Sequence, residues 1–169
     1  MRVILIMATS ADGLISRGGE DAADWVANYD LSFFDPKTRE IGTVIIGSNS
    51  FRTFMEPLKD RRTIVMSART DIMDPIEGSL EFFPGEPAEL LKQLSDEGLE
   101  EVALIGGAQL NGSFLSEGLV DEIYLVVTPH LLGQGLTIAS GFDLETPVKL
   151  LETRELDNDV VLLHYEVIK

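Results

Sequence analysis

The sequence predicts an α/β fold with a mostly parallel central sheet of about eight strands, flanked by helices and ending in a C-terminal antiparallel hairpin. Three observations carry this. Short apolar, β-branched runs at residues 2–9, 43–46, 63–66 and 102–105 read as strands buried on both faces. Helix-like segments fall between them, and that alternation favours parallel pairing through crossovers. Two further strand-like runs, 148–156 and 160–168, are separated by Asp157-Asn158-Asp159, which is turn chemistry.

The 169 residues are 44% apolar, which suits one domain over residues 1–169 with a full core. There is no cysteine, so disulfides and thiolate chemistry are excluded. His130 and His164 lie far apart and form no metal-ligand spacing. With 29 acidic against 13 basic residues the net charge is −16, and the basic footprint of a nucleic-acid partner is missing. No apolar run reaches the roughly 20 residues of a membrane helix. Residues 1–7 are too short for a signal segment. The expected location is the cytoplasm, with neither nucleic acid nor membrane as partner.

In chain order, residues 2–9 form the first central strand. Residues 10–20 carry Asp12-Gly13 and Gly18-Gly19, the chemistry of a mobile loop beyond a strand tip. Residues 21–42 are helical, with Trp25, Leu31, Phe33, Phe34 and Ile41 as the apolar face. A break is expected at Pro36, with Asp35 as N-cap of a fresh start, because a residue before proline resists helical angles. Strand 43–46 runs into Gly47-Ser48-Asn49-Ser50 and a helical turn. Strand 63–66 ends at Ser67-Ala68-Arg69. A weak strand at 80–83 precedes an amphipathic helix, 87–97, closed by Gly98. Strand 102–105 then meets Gly106-Gly107, a short helix at 108–116, and strand 122–128.

The glycine pair marks a junction of chemical interest. Glycine there lets the backbone adopt angles closed to other residues and leaves no Cβ in a ligand's way. The helix that follows starts with unpaired N–H groups at its positive end, a setting for phosphate. Open α/β sheets place ligands beyond the carboxyl ends of their strands. A plain strand-to-helix turn reads the same two residues equally well. Neither G-x-G-x-x-G nor G-x-S-x-G occurs.

A combination of motifs goes further: Thr9-Ser10-Ala11-Asp12-Gly13 with Ile15, Asp24-Trp25, the run 44–47, and Ile105-Gly106-Gly107 continuing to Leu119-Val120-Asp121-Glu122. Pro129-His130-Leu131-Leu132-Gly133-Gln134-Gly135 and Leu163-His164-Tyr165 complete it. Over nearly its whole length the chain resembles the dihydrofolate reductase superfamily. Within it, the chain is most similar to the reductase domain of the bifunctional riboflavin-biosynthesis deaminase-reductase. The resemblance implies an NADPH-dependent reductase with a cis peptide between Gly106 and Gly107. It implies cofactor contacts from Ala8 and Ile15, and from Gly47, Ser48, Asn49 and Ser50. Ser67, Ala68 and Arg69 would meet the adenosine ribose and its 2′-phosphate. Ile105, Gly106 and Gly107, with the N–H groups of Ala108, Gln109 and Leu110, would meet nicotinamide and pyrophosphate.

The spacing Trp25-x4-Asp30-Leu31-x2-Phe34 resembles the family's substrate-side helix, whose acid falls at Asp30. Trp25, Phe34 and Asp12 would touch substrate, and Arg17, Arg39 and Arg52 are candidate cations for a phosphoribosyl group. Riboflavin-pathway pyrimidine reduction is the leading activity. Dihydrofolate or pterin reduction is a second reading, although Val126 stands where a substrate-contacting threonine is usual. A non-catalytic nucleotide-binding protein is a third. Of the usual Asp-x-Pro-x-Leu segment only Pro57-Leu58 remains, and no deaminase zinc motif is present. A homodimer is expected from the resemblance.

Overall fold

The computed structural model describes residues 1–18, 24–53, 55–69 and 72–169, and for Asp24 and residues 27–32 the main chain alone. The chain forms β1 (Arg2–Thr9), β2 (Leu14–Ser16), a 3-10 turn (Asp24–Val26), α1 (Ala27–Ile41), β3 (Thr43–Gly47) and α2 (Ser48–Phe51). It continues with β4 (Arg62–Met66), β5 (Leu80–Phe83), α3 (Pro87–Asp96), β6 (Glu101–Leu104) and α4 (Ala108–Ser116). The last strands are β7 (Glu122–Val127), β8 (Leu136–Thr137), β9 (Val148–Glu155) and β10 (Val161–Val167).

Eight strands make one sheet in the order β5-β4-β3-β6-β1-β7-β10-β9. All pairs from β5 to β7 are parallel, whereas β10 runs antiparallel to both β7 and β9. The expected architecture and terminal hairpin are therefore present. Asn158 and Asp159 make the hairpin turn with φ of 62° and 60°, angles that Asn and Asp tolerate better than most residues.

Alternation along the strands sorts the core into two layers. Val3, Leu5, Ile45, Ile64, Val102 and Leu104 pack against Leu90 and Leu94 of α3 and Phe114 of α4. Ile4, Ile6, Val44, Ala103, Val126 and Leu162 face the other way, where Phe33 of α1 covers them. Within the sheet, on β10, His164 accounts for itself structurally: its Nε2 lies 2.8 Å from Glu122 Oε2, and its ring stacks on Tyr124 at 4.0 Å. Burial there pushes the Tyr124 hydroxyl above its ordinary pKa.

Two expectations need correction. Helix α1 does not restart at Pro36; it runs through it. The cause is tertiary. Arg61, buried with only 6% of its surface exposed, donates from Nη2 to Asp35 Oδ1 at 2.6 Å and from Nη1 to Thr38 Oγ1. Thr38 Oγ1 donates in turn to the Phe34 carbonyl at 2.7 Å, and Asp35 Oδ2 accepts from Arg39 Nε at 2.8 Å. These bonds straddle the proline and hold the helix against local preference. Asp35 is thus an anchor inside α1 rather than a cap, and it holds Arg39, which also pairs with Asp60.

The second correction concerns residues 10–18. They are not merely a loop, because β2 pairs antiparallel with β8 as a small separate sheet.

Candidate active site

The chain runs outward from β1 through β3, β4 and β5, then returns through β6 to lie between β3 and β1 before crossing to β7. Connections therefore diverge around the β6–β1 pair, the position where such sheets leave a crevice beyond the strands' carboxyl ends. A cleft of about 1180 Å³ opens there. Met7, Ile46, Gly47, Met66 and Ile105 form its floor at the ends of β1, β3, β4 and β6. Gly107, Ala108, Gln109 and Leu110 form one wall with Ser48, Asn49 and Ser50, while Phe34 and Leu58 stand on the α1 side and Ile15, Ser16 and Leu136 above.

The wall formed by α2 and α4 is built largely of main chain. The Gly47 N–H donates to the Gly106 carbonyl at 2.7 Å, and the Ile105 N–H donates to the Ile45 carbonyl at 2.9 Å, joining the β3 and β6 tips. The Gly106–Gly107 peptide bond is cis, as the family resemblance implies. Gly106 has φ of 99°, which suits glycine, and a Cβ there would lie 3.0 Å from Met7 Sδ. A Cβ on Gly107 would lie 2.5 Å from Ser50 Oγ, so a side chain would fill the space between the two turns. Helix α4 begins directly after extended Gly107 with no side-chain cap. Its first N–H groups thus lack a side-chain cap at the positive helix end, in the same wall as the Ser48-Asn49-Ser50 hydroxyl and amide groups.

The RibD C-terminal domain family profile matches residues 1–162. The chain belongs to that family. YwjB of Bacillus subtilis (strain 168), an uncharacterized protein, is 25% identical over 173 residues, covering 97% of each chain. A crystal structure from Shewanella sp. PV-4, provisionally assigned to riboflavin biosynthesis, superposes with a TM-score of 0.86 at 20% identity, covering 100% of both chains. Dihydrofolate reductase from Enterococcus faecalis, solved with NADP(H), gives 0.66 at 17% identity over 99% of this chain and 97% of that one. The fold is thus dihydrofolate reductase-like.

In this RibD C-terminal-type domain the cleft gathers many residues singled out from sequence. Ile15, Phe34, Gly47, Ser48, Asn49, Ser50, Ile105, Gly107, Ala108, Gln109 and Leu110 all line it. The donor set suits a phosphate-bearing dinucleotide: an uncapped helix start, a side-chain-free approach at Gly107 and neighbouring hydroxyls.

Other predicted residues stand elsewhere. Gly106 lies behind the wall, against Met7. Ala8 packs in the core on the α1 side. Ser67, Ala68 and Arg69 follow β4 but are not in the lining; the Ser67 hydroxyl accepts from the Arg69 N–H at 3.0 Å, a tight local turn. Trp25 packs against His130 with ring centroids 5.9 Å apart, outside the cleft lining. The side chain of Asp30 lies outside the described residues.

Asp12, expected at the substrate, has another task. Its Oδ1 accepts from Ser10 Oγ at 2.6 Å and from the Leu132 N–H at 3.1 Å, and its Oδ2 accepts from the Gly133 N–H at 2.7 Å. These donors hold the carboxyl's pKa down to about 2, the Ser10 hydroxyl contributing most. Asp12 therefore latches residues 10–18 to the loop before β8, and Ile15 and Leu136 from those two segments roof the cleft.

Sequence reasoning missed several lining residues. Met7 and Met66 read only as strand apolar residues, and Thr53 and Ser113 as unremarkable polar positions. Leu136 comes from β8, a two-residue strand with no pattern of its own. Each arrives by topology, and nothing in its local sequence marks it.

Proposed function

We propose that this protein is an NADPH-dependent reductase acting on a small heterocyclic or ribosylamino substrate, of the 5-amino-6-(5-phosphoribosylamino)uracil reductase type. The observation that carries the reading is the preformed wall at Gly107 and the α4 start, set in a cleft at the sheet's switch point. Membership of the RibD C-terminal domain family supports it, as does the likeness to proteins connected with riboflavin biosynthesis and with NADP(H).

When bound, the nicotinamide supplies hydride, and the chain's work is to position and polarise. The N–H groups of Ala108, Gln109 and Leu110 and the side chains of Ser48, Asn49 and Ser50 would hold the phosphates. Ile15 and Leu136 would exclude water from above, and Phe34 and Leu58 would offer an apolar seat for a flat ring on the α1 side. The proton donor in this reading is Asp30, carried by α1 as Phe34 is.

A homodimer in the cytoplasm belongs to the same reading. Strand β9 ends the sheet, every residue in it is exposed, and Val148, Leu150 and Leu151 are each about half exposed. An eight-residue edge strand that exposes three apolar side chains among its charged ones is a surface a second copy could pair with. Sedimentation should give twice the chain mass; a monomer at micromolar concentration contradicts the dimer.

The primary test is a fluorescence titration with NADPH and NADH, followed by turnover of the ribosylaminopyrimidine. Micromolar NADPH binding with turnover supports the reading. Absence of NADPH binding at millimolar concentration ends it.

A further inference from the structure

Position 111, in the first turn of α4, holds an amide where an apolar side chain would cost less. Asn111 is fully buried, at 0% exposure, on the same helix as buried Ala108, Phe114 and Leu115. Burying an amide is unfavourable unless hydrogen bonds replace its water. The Asn111 side chain makes one such bond: Nδ2 donates to the Ile138 carbonyl at 2.7 Å, while Oδ1 is buried and accepts from none of the described residues. Its main-chain N–H is used separately, donating to the Gly107 carbonyl at 2.9 Å. Leucine or alanine would fill a helix interior with no polar group to satisfy. The bond to Ile138 is therefore what the amide contributes.

Ile138 belongs to residues 137–142, which follow β8 and lie along α4. The Ser140 N–H donates to the Ala108 carbonyl at 3.1 Å, and the Thr137 hydroxyl donates to the Ala139 carbonyl at 2.6 Å. The contact with the helix is close: a Cβ on Gly112 would lie 2.4 Å from Phe142 Cδ2 and 3.0 Å from the Ser140 carbonyl oxygen. Before this segment comes β8, which pairs with β2, and a Cβ on Gly135 would lie 1.9 Å from the Ser16 carbonyl oxygen. Leu136 and Ser140 line the cleft, as do Ile15 and Ser16 of β2. The Asn111 bond thus joins the helix whose start forms the cleft wall to the roof above it.

We infer that Asn111 is a positioning residue: it fixes residues 137–142, and through them the β2–β8 roof, to the α4 wall, so that occupation of the wall and closure of the roof are coupled. This rests on the reductase reading for the identity of the ligand and adds to it a means of shutting the site. Asn111 is absent from the cleft lining, so it acts through Ile138 and not by touching a ligand. Asp12 secures the roof on its other flank, at Leu132 and Gly133. Asn111 supplies the tether that reaches the wall. Coupling of this kind is reciprocal: if a held roof favours the cofactor, the cofactor favours the held roof by the same factor.

The test is hydrogen exchange read by mass spectrometry on the full chain, free and saturated with NADPH, with residues 3–6 of β1 as the core reference. Asn111→Ala removes the bond. In the free protein it should speed exchange over residues 136–140 and 14–16 by about tenfold, the net contribution of one hydrogen bond, and leave residues 3–6 as in wild type. NADPH should slow exchange over residues 14–16 in wild type and fail to do so in Asn111→Ala, where its dissociation constant should rise by about tenfold. A purely structural role would speed exchange throughout, the core included. Should Asn111→Ala not fold, Gly112→Ala takes its place with the same expected pattern, because it keeps Asn111 and wedges the segment off α4 at Phe142 and Ser140. The inference is overturned if residues 136–140 of the free variant exchange as in wild type, if the core speeds up equally, or if NADPH protects residues 14–16 equally in variant and wild type. Should NADPH not bind the wild-type protein, the reductase reading falls alone, and exchange in the free proteins still decides whether Asn111 holds the roof.

Discussion

The two sides of the cleft are held by different means. On the α4 side, the contacts are main chain to main chain: Gly47 to Gly106, Ile105 to Ile45, and an uncapped helix start. On the opposite side, charged side chains do the holding: Asp12 latches residues 10–18 to Leu132 and Gly133, and Arg61 anchors α1 through Asp35 and Thr38. A wall made of backbone has few side chains to lose, so only an added side chain disturbs it. A wall made of ionic contacts can be dismantled one residue at a time.

The sharpest way to break this contrast is to add a side chain to the first wall. Gly107→Val should weaken NADPH binding by about 100-fold or more, roughly 3 kcal/mol, while far-UV circular dichroism shows a folded core. Retained affinity in a folded variant would show that the space beside Ser50 is not the cofactor's. On the other side, Asp30→Asn should lower kcat by about 100-fold with NADPH affinity intact; an unchanged kcat removes Asp30 as the acid.

Arg61→Ala should cost about 2–3 kcal/mol of stability in denaturant melts, since it strips a buried cation from Asp35 and Thr38. A loss below about 0.5 kcal/mol would mean that α1 passes through Pro36 unaided.

The smallest effect concerns the latch. The folded-state pKa of Asp12 lies below its ordinary value of about 4. Its contribution is therefore fully present above pH 4 and is lost as pH falls towards 2. Hydrogen exchange at the Leu132 and Gly133 amides should be protected from pH 5 upward, with protection fading below about pH 4. Asp12→Asn should remove that acid-side fading and raise the NADPH dissociation constant only a few-fold. Unchanged protection in the variant would show that the loops hold each other without the carboxylate.

The same contrast explains what the sequence disclosed. The main-chain wall was legible because glycine pairs and hydroxyl runs at strand ends are local signals. Gly47 through Ser50 and Gly107 through Leu110 could be placed in the cleft from spacing and family likeness. The ionic side was not legible. Asp12 finds partners some 120 residues away, and Arg61 reaches Asp35, beside Pro36, from 26 residues away. Neither separation leaves a periodic trace. Ser67-Ala68-Arg69 resembles the other strand-tip turns in composition, yet it lies past Met66, where the lining stops.

The Gly47–Gly106 bond carries one more consequence. Because it ties the ends of neighbouring strands, the two turns facing the ligand cannot drift apart independently. In the proposed reading, a dinucleotide arriving there would meet a receptor edge already in its final shape, and little of its affinity would be spent on ordering the protein. Selectivity at this edge should then follow fit rather than adaptation: analogues altered along the pyrophosphate should bind poorly from the start instead of being accommodated slowly.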